Sequence, residues 1–286
     1  MKQIKLIALD MDGTLFNRDG EISEKDRETL KRATEAGVAV AVATGRAYTE
    51  LPIEMLYEVG VEYAITGNGS AIYRLPNQER IFADCLDNEV VTSILEEVAQ
   101  LDVYYDVYVD GFAYCPKSVC HNIRKMDMPD AIHEHVERTR IVVEDLIEYI
   151  QSCGKQVEKA TVNFALLEDG SLLGRGETAE ILDRYPQVQY LSGGFHNWEF
   201  TKTGVTKGTG LHVLADKLGV SIEETMACGD SENDLAMLKE AGLPVAMENA
   251  TEEVKAVCKF ITLSNVESGV SHAVDKFVFG IEDEEN

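Results

Sequence analysis

The sequence predicts an α/β protein: a parallel sheet with helices on both faces, interrupted by an inserted α+β module. Three observations predict this class. Short apolar runs at Ile4–Leu9, Val38–Ala43 and Thr225–Cys228 each break off into polar, glycine-bearing loops, as strands buried on both faces do. The order strand, polar loop, helix repeats at both ends of the chain, which indicates parallel pairing. Between those ends the pattern changes to hairpins and isolated helices.

Taken in order, Ile4–Leu9 is a strand that ends in Asp10 and Asp12, followed at once by Gly13, Thr14 and Leu15. Ser23 and Asp26 form a weak capping box for a helix from Glu24 to Ala36, which Gly37 stops. Val38–Ala43 is the second strand, ending in Thr44-Gly45-Arg46, and a helix is expected from Ala47 to Val59. Tyr63–Thr66 is a third strand, ending in Gly67-Asn68-Gly69-Ser70. From Ala71 come two short β-like pieces, then a helix at Asn88–Gln100. Val103–Tyr114 alternates like a strand pair with Asp110-Gly111 at the turn. On it Val103, Tyr105, Val107 and Val109 share one face. Tyr104, Asp106, Tyr108 and Asp110 share the other, which reads as a solvated face or a substrate-facing one. Helices are expected around Val119–Lys125, Glu144–Cys153 and Gly170–Tyr185, and strands at Val157–Leu167, Val188–Leu191 and Asn197–Phe200. The parallel pattern resumes with a helix opened by Thr206-Lys207-Gly208 and the strand Thr225–Cys228, ending in Gly229-Asp230. It continues with a helix at Asp234–Ala241, a strand at Pro244–Met247, a helix at Thr251–Cys258, a strand at Phe260–Leu263 and a helix at Gly269–Phe279. The acidic tail Glu282–Asn286 is expected to fray. The domain reading is therefore 1–84 with 196–286 as a discontinuous parallel-sheet domain, and 85–195 as the insert.

Composition narrows the function classes. The 286 residues carry a formal net charge of −25, with 45% apolar and 27% charged residues. Such an acidic chain is a poor partner for nucleic acid, which is bound through clustered Lys and Arg. No apolar run is long enough to span a bilayer. The start of the chain reads as a strand followed by acids rather than a secretory leader, so a cytoplasmic protein is expected. Six cysteines occur without a CxxC pair and read as reduced, small apolar side chains. In the insert, His121, Arg124 and Lys125 form a basic cluster that reads as surface. His133 and His135 lack ligand-spaced partners, and Trp198 reads as packing. Nothing in the sequence fixes the oligomeric state.

Four loops hold the chemistry: Asp10–Thr14, Thr44–Arg46, Thr206–Gly208 and Gly229–Asp234. In an open parallel sheet such loops gather outside the carboxyl ends of the strands. Asp10, Asp12 and Asp230 converging there would repel unless a cation received them. The absence of His and Cys from these loops favours a hard, oxygen-seeking ion, Mg²⁺ first. Thr44, Lys207 and Asn233 supply a hydroxyl, a point charge at a helix N-terminus and an amide, a set suited to a phosphoryl group.

Asp-x-Asp-Gly-Thr-Leu after a buried strand, then Thr-Gly-Arg, an isolated Lys and Gly-Asp-x-x-Asn-Asp resembles the haloacid dehalogenase superfamily. Thr66-Gly67-Asn68-Gly69, Val245-Ala246-Met247-Glu248-Asn249-Ala250 and Asn265-Val266-Glu267-Ser268-Gly269-Val270 further resemble its Cof-type phosphatases with a subclass IIB cap. The resemblance implies a Rossmann-like core, with the insert as a mobile cap that sets substrate specificity. It implies Asp10 as nucleophile, forming an aspartyl-phosphate, and Asp12 as general acid and base. Mg²⁺ would sit on Asp10, the Asp12 carbonyl and Asp230, with Asp234 in or near the shell. The Met11 N–H, Thr44, the Gly45 N–H, Lys207 and Asn233 would hold phosphoryl oxygens, and Arg46 and Asn68 would line the substrate side. The implied activity is Mg²⁺-dependent hydrolysis of small phosphorylated metabolites, sugar phosphates first. A sugar-phosphate mutase and a non-catalytic phosphometabolite sensor are the alternatives.

Overall fold

The computed structural model describes residues 2–193 and 196–281. The expected tail at 282–286 and the expected domain limit at Phe195 lie outside those residues. Contacts divide the chain into two compact units. One is Met1–Thr44, Pro52–Phe82 and Thr206–Asn286; the other is Gly45–Leu51 with Ala83–Val205.

The strands, in chain order, are β1 (Leu6–Leu9), β2 (Ala39–Ala43), β3 (Tyr63–Thr66), β4 (Ala71–Arg74), β5 (Glu79–Ala83), β6 (Tyr104–Val109), β7 (Phe112–Pro116), β8 (Arg140–Val143), β9 (Val157–Asn163), β10 (Val188–Leu191), β11 (Asn197–Lys202), β12 (Thr225–Gly229), β13 (Leu243–Ala246) and β14 (Phe260–Ile261). The first unit is built on the sheet β14-β13-β12-β1-β2-β3-β4-β5. Its pairs from β14 through to β3 are parallel, and β3–β4 is antiparallel. The two short pieces after Ala71, within the stretch 1–84, extend this sheet. In register, Leu9 lies level with Val42 on one side and Cys228 on the other. That alignment sends the loops after β1, β2 and β12 out of one sheet edge. Residues Leu6 to Leu9 are all fully buried, which is why the run carries no alternation.

Local signals explain the helices of this unit. Ser23 caps the helix Glu24–Glu35 by accepting from the Asp26 N–H. Thr206 caps Lys207–Leu218 by accepting from the Thr209 N–H, and left-handed Gly219 closes it. One expectation fails here. Ala47–Val59 is not a single helix but a 3₁₀ turn at Tyr48–Glu50 and a short helix at Ile53–Glu58, parted by Pro52. Proline disfavours helical geometry in the residue before it, and Leu51 is extended.

The second unit holds the sheet β10-β11-β9-β6-β7-β8. Helices Asn88–Val98, Leu146–Ser152 and Arg175–Leu182 share a core with Tyr105, Val107, Val109 and Val162. The hairpin turn is where Asp110-Gly111 placed it, both residues having positive φ. Two elements escaped sequence reading: helix Asp130–Thr139 and strand β8. The opposite face of β6 is also not solvated. Tyr104, Asp106 and Tyr108 are buried, and Arg140 of β8 reaches Asp106 Oδ2 at 2.8 Å and the Tyr108 hydroxyl at 3.2 Å. An acid on that face survives burial because a guanidinium receives it.

Other expectations in this unit resolve as packing. Arg124 pairs with Glu137 and Lys125 with Asp102, neutralising the basic cluster. His133 meets the Met126 carbonyl and His135 the Glu50 carboxylate. The Trp198 indole N–H donates to the Arg175 carbonyl, under the Arg175 guanidinium. No disulfide joins the six cysteines among the described residues. Among the described residues no helix is long and apolar enough to cross a membrane.

Candidate active site

Asp10 stands where β1 ends. Its N–H still donates to the Cys228 carbonyl at 3.0 Å, so the backbone is fixed to the level of the sheet edge while the side chain projects past it. The chain then folds back: the Phe16 N–H bonds the Met11 carbonyl at 2.9 Å. Met11 is buried, and Asp12 is exposed. Gly13 adopts φ +88°, and a Cβ there would lie 2.5 Å from Asp230 Oδ2. Only glycine allows both that conformation and that approach.

Lys207, the first residue of its helix, is buried and bridges two acids. Its ammonium lies 2.7 Å from Asp10 Oδ1 and 2.7 Å from Asp234 Oδ1. The other oxygen of Asp234 accepts the N–H groups of Asp230 and Ser231 at 3.0 and 3.1 Å. Asp234 thus shapes the Asp230 loop and fixes Lys207 at the same time. Asp230 is half-buried and accepts from the Thr14 hydroxyl at 3.3 Å. Sequence reading gave Thr14 no role of its own; its place directly after Asp-x-Asp-Gly was the available signal. Asn233 is half-buried, and its amide oxygen accepts from the Ser231 hydroxyl.

Two more loops reach the same sheet edge. Thr44 is buried at the end of β2, and its carbonyl accepts the Asn68 N–H at 3.0 Å. Asn68 is buried in a left-handed conformation, φ 58°. Beside it, Gly69 lets the loop approach Thr206: a Cβ would lie 2.1 Å from that carbonyl oxygen. The structure therefore gathers Asp10, Thr14, Lys207, Asp230 and Asp234 by direct contact, and joins Thr44 to Asn68. Gly45 and Arg46 fall in the second compact unit.

The electrostatics are unbalanced. Burial, with the Asp234 charge adding to it, raises the Asp10 carboxyl well above the usual range, against the pull of Lys207. Burial first, then the Asp234 charge, pushes Asp230 up to about 6. Lys207 is held charged: its burial is outweighed by Asp10 and Asp234. One ammonium does not neutralise three acids. Carboxylate oxygens of Asp10, Asp230 and Asp234 lie within 4.8 Å of one another. An all-oxygen, anionic donor set of this kind suits a hard divalent cation and offers nothing to a soft one.

Comparison with known proteins agrees with this geometry. A family model for haloacid dehalogenase-like hydrolases matches residues 7–274. The chain is 30% identical over 295 residues to the 5-amino-6-(5-phospho-D-ribitylamino)uracil phosphatase YwtE of Bacillus subtilis, covering 97% of this chain and 99% of that one. It is 30% identical over 281 residues to the phosphatase YwpJ of the same organism, covering 94% and 98%. Among solved structures, a haloacid dehalogenase-like hydrolase from B. subtilis superposes with a TM-score of 0.79 at 25% identity, over 95% of this chain and 99% of that one. The chain belongs to the haloacid dehalogenase-like hydrolases and is an enzyme of their phosphatase kind.

Proposed function

We propose that this enzyme is a Mg²⁺-dependent phosphatase of small phosphorylated metabolites, sugar phosphates first, working through an aspartyl-phosphate on Asp10. The observation that carries the reading is the buried Asp10–Lys207–Asp234 contact beside Asp230. It combines a nucleophile, a fixed positive charge and a surplus of acid.

In this reading a carboxylate oxygen of Asp10 attacks phosphorus, and the bond from phosphorus to the leaving oxygen breaks. Asp12, exposed on the next turn of chain, gives its proton to the departing alkoxide. Asp12 then takes a proton from water as that water attacks phosphorus. The Asp10–phosphorus bond breaks and phosphate leaves. Lys207, the Thr44 hydroxyl, the Asn233 amide and the Met11 and Gly45 N–H groups hold the phosphoryl oxygens. Asp10, Asp230 and the Asp12 carbonyl would hold Mg²⁺, with Asp234 behind them. When bound, the ion supplies charge neutralisation between the attacking carboxylate and the phosphoryl group.

Residues 85–195 are, in this reading, the substrate-specificity domain, with Arg46 and Asn68 on the substrate side. The sheet of the second unit carries a polar face of a kind suited to hydroxyl groups. Asp106, Lys159, Thr161, Asn163, Asn197 and Glu199 share one of its faces. Among them Asp106 Oδ1 and Thr161 Oγ1 are buried with no hydrogen-bond partner among the described residues. Buried polar atoms of that kind are costly unless something completes them. The activity named for the relative YwtE, on a ribityl phosphate, puts sugar-alcohol phosphates on the same panel.

The test is phosphate release, with and without Mg²⁺, across sugar phosphates, sugar-alcohol phosphates and nucleotides. Turnover of at least one sugar or sugar-alcohol phosphate is expected without an added activator. A strict need for a bisphosphate activator would make the enzyme a mutase. Tight binding without turnover would make it a sensor.

A further inference from the structure

We propose that Asn249 and Asn265 are positioning residues that hold the Asp12 turn in register with Asp230. This rests on the role given to Asp12 above.

The two asparagines come from separate loops, after β13 and after β14, and meet on the first loop. Asn249 Nδ2 donates to the Gly13 carbonyl at 2.8 Å, and Asn249 Oδ1 accepts the Asn265 N–H at 3.0 Å. Asn265 Nδ2 donates to the Phe16 carbonyl at 2.7 Å. The orientation of the Asn249 amide is fixed, because reversing it would set donor against donor and oxygen against oxygen. The same turn braces the other side of the site. The Thr251 N–H bonds the Asp230 carbonyl at 3.0 Å, and the Met247 N–H bonds the Gly229 carbonyl at 3.1 Å.

The need for a brace follows from Gly13. Glycine is required there, as the Asp230 approach shows, and glycine is the residue that restrains a backbone least. Asp12 sits directly before it, so rotation about the Gly13 dihedrals would displace the Asp12 backbone relative to the rest of the turn. Before that pivot the Met11 carbonyl takes the Phe16 N–H, and tying the Gly13 and Phe16 carbonyls fixes the chain after it. Among the described residues the two asparagines bond each other and the backbone of the first loop, not a carboxylate of the site, so both act through the backbone that carries Asp12.

Leaving-group dependence tests the proposal. A misplaced general acid harms esters of poorly departing alcohols and spares those that leave unaided. Asn249→Asp, which keeps the acceptor and loses the donor, and Asn265→Ala are compared with wild type on an alkyl phosphate and on p-nitrophenyl phosphate. For the alkyl ester, kcat is expected to fall about tenfold, the worth of one or two hydrogen bonds. For p-nitrophenyl phosphate the expected fall is less than about threefold, with KM unchanged for both. Equal falls on both esters, or none, would overturn the proposal. A second measurement needs no turnover: hydrogen exchange at the Leu15 and Phe16 amides, which bond Asp10 and Met11 carbonyls, should quicken several-fold in Asn265→Ala. Unchanged exchange would overturn the brace even if wild type were inactive, whereas wild-type inactivity by itself would count against the phosphatase reading.

Discussion

Buried acids are treated in opposite ways in the two units. In the first, Asp10 and Asp234 share one ammonium, Lys207, with half-buried Asp230 beside them, and the Asp10 and Asp230 carboxyls are driven upward. In the second, Glu50 and Asp106 share Arg140, and Glu50 also has the Ala47 N–H at 2.8 Å and His135. Burial there works to raise the Glu50 carboxyl. The Arg140 charge, His135 and the Ala47 N–H more than offset it and hold the group far below the usual range. Glu50, both of whose oxygens are received, makes a structural element, here a tie between Gly45–Leu51 and β8. An incomplete set makes a place where an outside cation and an anion can be received.

Substitutions can break this contrast, and the largest effect belongs to the incomplete cluster. Asp10→Asn should lower Mg²⁺-dependent phosphate release by about a thousandfold or more, since a carboxamide is no nucleophile here; steady-state kinetics on the best ester decides it. In the cluster around Glu50, Arg140→Met should cost stability instead of chemistry. It strands two buried carboxylates, which typically costs about 3–5 kcal/mol, read in a urea unfolding curve. Asp230→Asn should sharpen the comparison by relieving repulsion. The metal-free protein should hold its melting temperature or gain, while the rise produced by Mg²⁺ shrinks and the Mg²⁺ needed for half-maximal activity increases about tenfold or more.

The smallest effect is a pH dependence. Glu50 has a folded value depressed below its ordinary 4.5. Its contribution to stability is therefore fully present above pH 4.5 and is lost as the pH falls toward the folded value. Wild type and Glu50→Gln should differ most in unfolding free energy near neutrality, and the gap should narrow steadily as the pH falls below 4.5. A gap that widens in acid would show that Glu50 is a liability and not a tie.

The two clusters also differed in how far the sequence exposed them. Asp10, Thr44 and Asp230 were legible because each ends a short apolar run and is followed by a helix, all local signals. Lys207 was legible mainly through its place in the family motif, since a lone lysine is by itself an ordinary surface charge. The Glu50–Arg140–Asp106 cluster was not, because its members come from three distant segments. β8 is short, with Ile141 and Val142 exposed, and so leaves no buried-strand pattern. With Arg140 unplaced, the alternation of Tyr104, Asp106 and Tyr108 looked like an ordinary solvated face. The break at Leu51-Pro52 was readable from the proline, whose restriction on the preceding residue ends a helix there. Thr14 and the asparagines after β13 and β14 were visible as motif residues, yet their contacts depend on which strands lie side by side.

The central claim is that the under-compensated acid cluster makes Asp10 a nucleophile. Its most direct measurement is mass spectrometry of the Asp10 peptide after acid quench of the enzyme turning over a phosphate ester with Mg²⁺. The account predicts that a fraction of that peptide gains the mass of one phosphoryl group, and that Asp10→Asn abolishes the gain. Steady turnover with the Asp10 peptide always unmodified, or with the phosphoryl group on another residue, would contradict it.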